Sequence, residues 1–365
     1  MRQMLRFFFT LSLLGPSAFS QDTKTIDADL RRRLGEAELS MLFHGKSPGD
    51  AARWQHQFRE RLNELLGPTA PPERWEIVVE AREKLAGHIR YQLTLKAEQT
   101  PALPLYLLVP GGTSKEPRAA VVAVHGHGEY GHHAVAGRRD MPGVTQAIDK
   151  ANYDYGLQFV RRGYVVACPC LIPFGDRVEG DKYKSDPCAV TFVRMMALGR
   201  VPIAENVRDI RWAVSFLQSR PEVDGERIGC AGLSYGGRMT MMATALEPRI
   251  KVAAVSGALN LLQERCSLRY SCGMQIIPGL LKYGDFSEIG SLIAPRPCVW
   301  EMGSKDGLIV KDGWDEKFKA RLEKIYQACG ARDRLHYDHF EGGHRWNGEV
   351  AYPLFERVLR GLQGR

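Results

Sequence analysis

The feature that most constrains this chain is the run Gly232-Leu233-Ser234-Tyr235-Gly236-Gly237. It follows the apolar stretch Ile228-Gly229-Cys230-Ala231-Gly232, which reads as a buried strand, and it opens a helical pattern at Tyr235. A serine held between glycines where a strand gives way to a helix implies a sharp turn. The central residue takes a strained backbone conformation there, and only small neighbours avoid collision. The turn also lifts the hydroxyl above the sheet edge, at a helix N-terminus whose dipole favours developing negative charge. A bare Gly-x-Ser-x-Gly occurs by chance in many chains; the strand before it and the helix after it make this one specific.

The same alternation extends over most of the sequence. Apolar strands at 119–124, 164–167, 228–232, 252–256 and 298–302, with a short one at 335–337, are interleaved with helical patterns. Those patterns fall around 145–161, 203–219, from 235, 314–328 and 350–362. Continuous Val/Ile/Ala strands alternating with amphipathic helices imply an α/β fold: a mostly parallel central sheet flanked by helices. Before it, 75–109 reads as successive antiparallel strands, and 26–66 carries Leu, Trp and Phe at helical spacing. The expected organisation is a leader at 1–20, an N-terminal helical extension at 21–74 and one catalytic domain at 75–365.

Arg2 and Arg6, the apolar run Phe7–Leu14 and the small residues Ala18-Phe19-Ser20 read as a cleavable export signal, cut after Ser20. The apolar run is shorter than the roughly 20 residues a bilayer span needs. A periplasmic or secreted location follows, with no stable membrane insertion once the signal is removed. The formal charge of +8 favours acidic partners such as uronic-acid polysaccharides or serves only as a solvated surface. No basic block or aromatic-interleaved patch speaks for nucleic acid. Eight cysteines in an exported chain permit disulfides. Cys230 and Cys298 lie in strand-like runs and read as buried thiols; Cys266 and Cys272 flank a short loop and are placed to pair with each other.

A serine hydroxyl needs a base, and the base an orienting carboxylate. The strand at 298–302 runs into Gly303-Ser304-Lys305-Asp306-Gly307, placing Asp306 on the loop that follows it. Glu341-Gly342-Gly343-His344-Arg345-Trp346 then puts His344 on a glycine-rich loop after the last strand. Ser234, Asp306 and His344 are the expected nucleophile, acid and base. The rival acids are Glu301 within the strand and Asp312 or Asp315 beyond the turn; the rival base is His339, in a strand-like run. The oxyanion needs two N–H donors: Tyr235, after the nucleophile, and His127 in His125-Gly126-His127-Gly128. His125 itself is expected to hydrogen-bond neighbouring loops. Four histidines within 125–133 invite a metal reading, but the His125-x-His127 pair already belongs to the oxyanion loop, and no metal or other cofactor is expected. Arg238, in the first turn after the elbow, and Trp346, beside His344, are candidate substrate-binding residues. Arg238 is placed to clamp a uronate carboxylate or to form a structural ion pair.

These residues, together with Ser271-Cys272-Gly273-Met274-Gln275-Ile276-Ile277-Pro278-Gly279-Leu280 and Ile293-Ala294-Pro295-Arg296-Pro297, resemble the dienelactone-hydrolase-like α/β-hydrolases. The resemblance is to their acetyl xylan esterase (carbohydrate esterase) branch and covers roughly residues 75–360. It implies a Ser234-Asp306-His344 triad and esterase activity on decorated polysaccharide. Three departures narrow it. Dienelactone hydrolases use a Cys nucleophile; the cephalosporin-C deacetylase group carries Gln after its nucleophile; glucuronoyl esterases carry Arg there. This chain has Ser234 followed by Tyr235. The expected activity is hydrolysis of acetyl or methyl esters on plant or algal polysaccharide or its oligosaccharides, through an acyl-enzyme. The alternatives are a serine peptidase of prolyl-oligopeptidase type and a non-catalytic binding protein. The roughly 80 residues ahead of the hydrolase strands cannot supply the β-propeller such peptidases usually carry, and all three triad positions are filled.

Overall fold

Nine strands form one sheet among the described residues, and its register decides which loops meet. They are β1 (Glu76–Leu85), β2 (His88–Ala97), β3 (Thr100–Pro110), β4 (Arg118–Val124), β5 (Val165–Pro169), β6 (Val223–Leu233), β7 (Ile250–Ser256), β8 (Cys298–Gly303) and β9 (Leu335–Phe340). In this computed structural model the described residues are 25–112, 114, 116–178, 186–268, 271–308 and 313–361. The expected signal and its cleavage point therefore lie outside them. The spatial order is β1-β2-β3-β5-β4-β6-β7-β8-β9. β1, β2, β3 and β5 pair antiparallel, whereas every neighbouring pair from β5 to β9 is parallel.

The helices, in chain order, are α1 (Ile26–Gly35), α2 (Pro48–Leu66), α3 (Gly131–Val135), α4 (Val144–Ala151), α5 (Tyr155–Arg161), α6 (Pro187–Ala197), α7 (Pro202–Gln218), α8 (Tyr235–Leu246), α9 (Leu262–Leu268), α10 (Phe286–Ser291), α11 (Trp314–Ala328) and α12 (Ala351–Arg360). They cover both faces of the sheet, and β4 shows why its sequence is apolar at every position after Arg118. Ala120, Val122 and Val124 join one core layer, with residues of α2, α7, α8, α10 and α11. Ala119, Val121 and Ala123 join the other, with residues of α5 and α12. Among the described residues no single helix is long and apolar enough to cross a membrane.

The extension packs into the same core as the sheet. Pro48 opens α2, Ser47 and Asp50 cap it reciprocally, and Ala51, Trp54, Phe58, Leu62 and Leu66 form its buried stripe. Trp54 and Phe58 stack at 5.2 Å. Gln55 donates to the carbonyls of Ser291 and Ala294 at 3.0 and 2.7 Å, tying α2 to the segment before β8.

Two expectations need correction. The helix around 145–161 is two helices, because Asn152 takes a left-handed conformation (φ 51°) and turns the chain between α4 and α5. The segments 171–200 and 260–292, where no helical pattern was expected, contain α6, α9 and α10. These helices are short, and an apolar pattern of six to eleven residues is too brief to show a helical period.

Candidate active site

Parallel pairing brings the working loops to one edge. Val124 lies opposite Gly232 at the ends of β4 and β6, Ser256 opposite Glu301 at the ends of β7 and β8, and Gly303 opposite Phe340 at the ends of β8 and β9. Ser234 thus stands among the loops leaving β4, β7, β8 and β9. It caps α8 with φ 65° and ψ −123°, the strained turn its sequence implied. The glycines are obligatory. A Cβ on Gly236 would lie 2.0 Å from the Val124 carbonyl oxygen, and one on Gly232 2.5 Å from that of Gly236. The Ser234 N–H donates to the Ser256 carbonyl at 2.8 Å, fixing the turn against the end of β7.

His344 and Asp306 meet from different loops: His344 Nδ1 is 2.7 Å from Asp306 Oδ2. Asp306 is buried, and its other oxygen accepts the Leu308 N–H at 2.9 Å. The two loops are locked together by the Ser304 N–H on the Phe340 carbonyl and the Lys305 N–H on the Gly342 carbonyl, at 2.9 and 2.7 Å. The close approach depends on Gly303, where a Cβ would fall 2.4 Å from the carbonyl oxygens of both Gly342 and Gly343. His344 Nε2 is buried without a hydrogen-bond partner, and His344 shares with Ser234 the wall of a cavity of about 450 Å³. The residues expected to be nucleophile, acid and base therefore converge. A larger groove, about 710 Å³, lies along 72–76 and 96–100, away from Ser234.

The rivals stand elsewhere. Glu301 is buried under the His loop, accepting the Gly348 N–H at 2.8 Å. Burial, with Asp338 adding a like charge, pushes its carboxyl up to about 7. Asp315 pairs with Lys319 on α11 at 3.3 Å, and His339 is an exposed residue of β9. Asp312 lies outside the described residues.

The loop after β4 runs directly beside the elbow. A Cβ on Gly126 would sit 3.0 Å from that of Ser234 and 2.7 Å from the Leu233 carbonyl oxygen. The Gly126 N–H donates to the Tyr153 hydroxyl at 2.6 Å. His125 holds the loop from below. Its Nδ1 pairs with the Gly126 carbonyl and its Nε2 accepts the Leu171 N–H, each at 2.8 Å. Burial lowers its pKa to about 3, so it stays neutral. Neither the His127 nor the Tyr235 N–H makes a hydrogen bond among the described residues, and both residues line the Ser234 cavity. The Tyr235 hydroxyl accepts from Asn206 Nδ2 at 2.8 Å, which fixes the ring as a wall.

Arg238 is 1% exposed yet reaches the cavity. Its guanidinium donates to the Asn260 backbone and side-chain oxygens and lies 3.7 Å from the centroid of Phe286. No carboxylate pairs with it among the described residues, which sets aside the structural ion pair. Burial and the neighbouring Arg265 lower its pKa. Trp346 requires the opposite correction. It is fully buried and stacked on Tyr155 at 4.8 Å, and its indole N–H donates to the Tyr352 hydroxyl at 2.9 Å. Its apolar bulk fills the core layer under α12 and does not line the cavity.

Sequence reading missed Asn260, Arg265, Asp186 and Cys188, which also line the cavity. They come from segments whose only sequence signal was their irregularity. The expected Cys266–Cys272 bridge is absent: both are free thiols. The neighbour of Cys272 is Cys188, whose thiol donates to it, and this together with His127 favours the Cys272 thiolate. His132 and His133 share the Asp176 carboxylate at 3.4 and 3.1 Å, and His133 also meets the Tyr106 hydroxyl at 2.9 Å.

Comparison with known proteins agrees with this architecture. Residues 135–262 match the dienelactone hydrolase family. The candidate hydrolase YtaP of Bacillus subtilis (strain 168) is 31% identical over 295 residues, covering 78% of this chain and 92% of YtaP. Three solved structures share the fold. A candidate acetyl xylan esterase from Bacteroides fragilis superposes with a TM-score of 0.71 at 19% identity, over 86% of this chain and 81% of that one. A glucuronoyl esterase from Solibacter usitatus gives 0.62 at 14%, over 90% and 98%. The methylesterase BT1017 gives 0.62 at 18%, over 92% and 68%. The chain belongs to the dienelactone hydrolase family, α/β-hydrolases that act on carboxylic esters.

Proposed function

We propose that the protein is an exported serine esterase that removes acetyl or methyl groups from acidic carbohydrate. The observation that carries the substrate class is Arg238, a buried guanidinium facing the Ser234 cavity that forms no direct ion pair among the described residues, although Asp285 and Glu264 attract it from farther off. A buried cation with no carboxylate in direct contact keeps part of its desolvation cost, and a carboxylate brought by a ligand offsets that cost through charge-assisted hydrogen bonds. Arg265 lines the same cavity and adds positive charge. A uronate-bearing oligosaccharide is the partner this chemistry selects, in keeping with a net positive chain. The names of the structural neighbours, acetyl xylan esterase, glucuronoyl esterase and methylesterase, point to the same class.

In the proposed mechanism His344, oriented by Asp306, takes the Ser234 proton as the hydroxyl oxygen attacks the ester carbonyl. The N–H groups of His127 and Tyr235 receive the oxyanion. Collapse expels the alcohol, protonated by His344. Water activated by the same imidazole then releases the acid and restores Ser234. All proton transfers run through one side chain, and no cofactor enters.

The test is a substrate panel read against Ser234→Ala. Wild-type enzyme is expected to turn over a short-chain nitrophenyl ester and acetylated or methyl-esterified uronate oligosaccharides, and to leave dipeptide anilides intact. Ser234→Ala is expected to lose turnover while keeping its melting temperature. Substantial residual activity in that variant removes the nucleophile assignment; preference for anilides moves the protein to the peptidases.

A further inference from the structure

One cluster lies beside the catalytic residues, and its side chains take no part in the proposed ester chemistry. His127, on the loop after β4, Cys188, in the first turn of α6, and Cys272, just before the 3-10 turn Gly273–Gln275, come from three distant parts of the chain. A ring nitrogen of His127 and the two sulfurs all lie within 4.8 Å of one another. All three residues line the cavity that holds Ser234.

The cluster is held in place before any ligand arrives. The His127 ring is wedged edge-to-face between Phe174 and Tyr235, with centroids 5.3 and 4.9 Å away. Cys188 and Cys272 are 4% and 6% exposed. The Asp186 side chain accepts the Cys188 N–H at 2.9 Å, and α6 packs directly on the 273–275 turn. The imidazole makes no hydrogen bond to any oxygen or nitrogen among the described residues. This separates it from His132 and His133, each of which places its Nε2 on the Asp176 carboxylate.

Two thiols and an imidazole form the donor set of a borderline-soft divalent cation such as zinc. Sulfurs bonded to one tetrahedral zinc stand about 3.8 Å apart, given zinc–sulfur bonds of about 2.3 Å. The side chains therefore need to close by no more than about 1 Å to reach that geometry.

We infer that His127, Cys188 and Cys272 form a zinc-class cation site in the wall of the Ser234 cavity, and that its occupancy inhibits the hydrolase. Both cysteines ligate as thiolates, and any thiol proton still present passes to solvent. The protein supplies three ligands, so a fourth position is left for water facing the cavity, where the ion and its water exclude the ester. His127 is then an imidazole ligand through its side chain and an oxyanion donor through its backbone, which couples the two sites.

Cobalt(II) titration of the full chain, reduced and chelator-treated, reads the site directly. Performing it on Ser234→Ala keeps the measurement independent of the catalytic assignment. One ion per chain with a thiolate-to-cobalt charge-transfer band is expected, with binding weakened at least about 100-fold in Cys188→Ser and in Cys272→Ser. On active enzyme, zinc is expected to suppress turnover of a short nitrophenyl ester, with recovery on adding chelator. Absence of the band while both thiols remain titratable overturns the site, as does a band that survives both substitutions. Mapping of a Cys188–Cys272 disulfide in the unreduced protein also overturns it, assigning the pair to a structural link. A band without zinc inhibition removes the inhibitory role.

Discussion

A Cβ on Gly257 would lie 2.7 Å from Cε1 of His344, so the residue after β7 and the histidine loop are separated by less than the width of a methyl group. Gly257 also holds φ 61°, a conformation that opposes a side chain. Gly257→Ala is expected to push the imidazole away from the elbow and lower kcat by about 10- to 100-fold, with KM little changed. It should cost about 1–3 kcal/mol in stability. Steady-state kinetics on a nitrophenyl ester, paired with a denaturant melt, checks both; an unchanged kcat shows that His344 is not held by this contact.

Asp306→Asn keeps the shape of the loop but offers His344 Nδ1 an amide where a carboxylate stood 2.7 Å away. Loss of the orienting charge in a triad costs on the order of 10³–10⁴ in kcat. Glu301→Gln, by contrast, should leave kcat within about threefold, because Glu301 is occupied by the Gly348 N–H. Equal losses in the two variants would show that the acid had been assigned to the wrong strand position.

The same Glu301 gives a pH signature in stability. Its folded pKa is raised from 4.5 to about 7, with burial as the main cause. A carboxyl that binds its proton more tightly when folded favours folding below its unfolded pKa of 4.5, and that contribution is lost as pH rises through about 7. At about 1.4 kcal/mol per unit, the parent should lose about 3 kcal/mol relative to Glu301→Gln between pH 4.5 and 8. Denaturant midpoints of both proteins across that range measure the gap; a gap that does not move with pH sinks the claim.

If the proposed clamp operates, Arg238 governs selectivity among esters. Hydrogen bonds to charged groups contribute about 1.5–3 kcal/mol. Arg238→Met should therefore lower kcat/KM for a uronate-bearing ester by about 10- to 150-fold and leave a neutral acetyl ester within a few-fold. The acidic-to-neutral ratio is the readout. An unaltered ratio would falsify the charge clamp.

Trp346 tests the opposite kind of residue. With its indole fully buried against Tyr155, Phe159 and Tyr352, Trp346→Ala should cost about 3–5 kcal/mol. Trp346→Phe should be milder and leave KM for every ester unchanged. A selective rise in KM for Trp346→Phe would return the residue to the cavity.

The chain wrote its candidate catalytic edge plainly and its pocket hardly at all. Ser234, Asp306 and His344 stood out because each follows a strand-like run on a glycine-containing loop, and at Gly232, Gly236 and Gly303 the backbone comes too close to its neighbours for a side chain. Trp346 misled because nearness in sequence to His344 says nothing about which way a side chain turns: His344 lines the cavity, whereas the indole two positions on is buried in the core. Arg265, Asn260 and Cys188 were illegible for a different reason. Their place depends on how α6, α9 and α10 pack on the body, and elements of six to eleven residues leave no periodic trace. Cys272 drew attention for its spacing to Cys266, yet its neighbour proved to be 84 positions earlier.

The seating of α2 bears on the order in which this protein comes into being. Its Trp54, Phe58 and Leu62 are made early, but Gln55 anchors on Ser291 and Ala294, 236 and 239 positions later. A Cβ on Gly284 would touch the Phe58 ring at 2.6 Å. While synthesis runs from one to the other, the apolar stripe of α2 lacks these later partners, a long-range dependence of the kind that slows folding and invites association. The nascent chain must be kept apart from its neighbours until nearly four-fifths of it exists. The first core helix to be made is thus housed only once the segment before β8 exists.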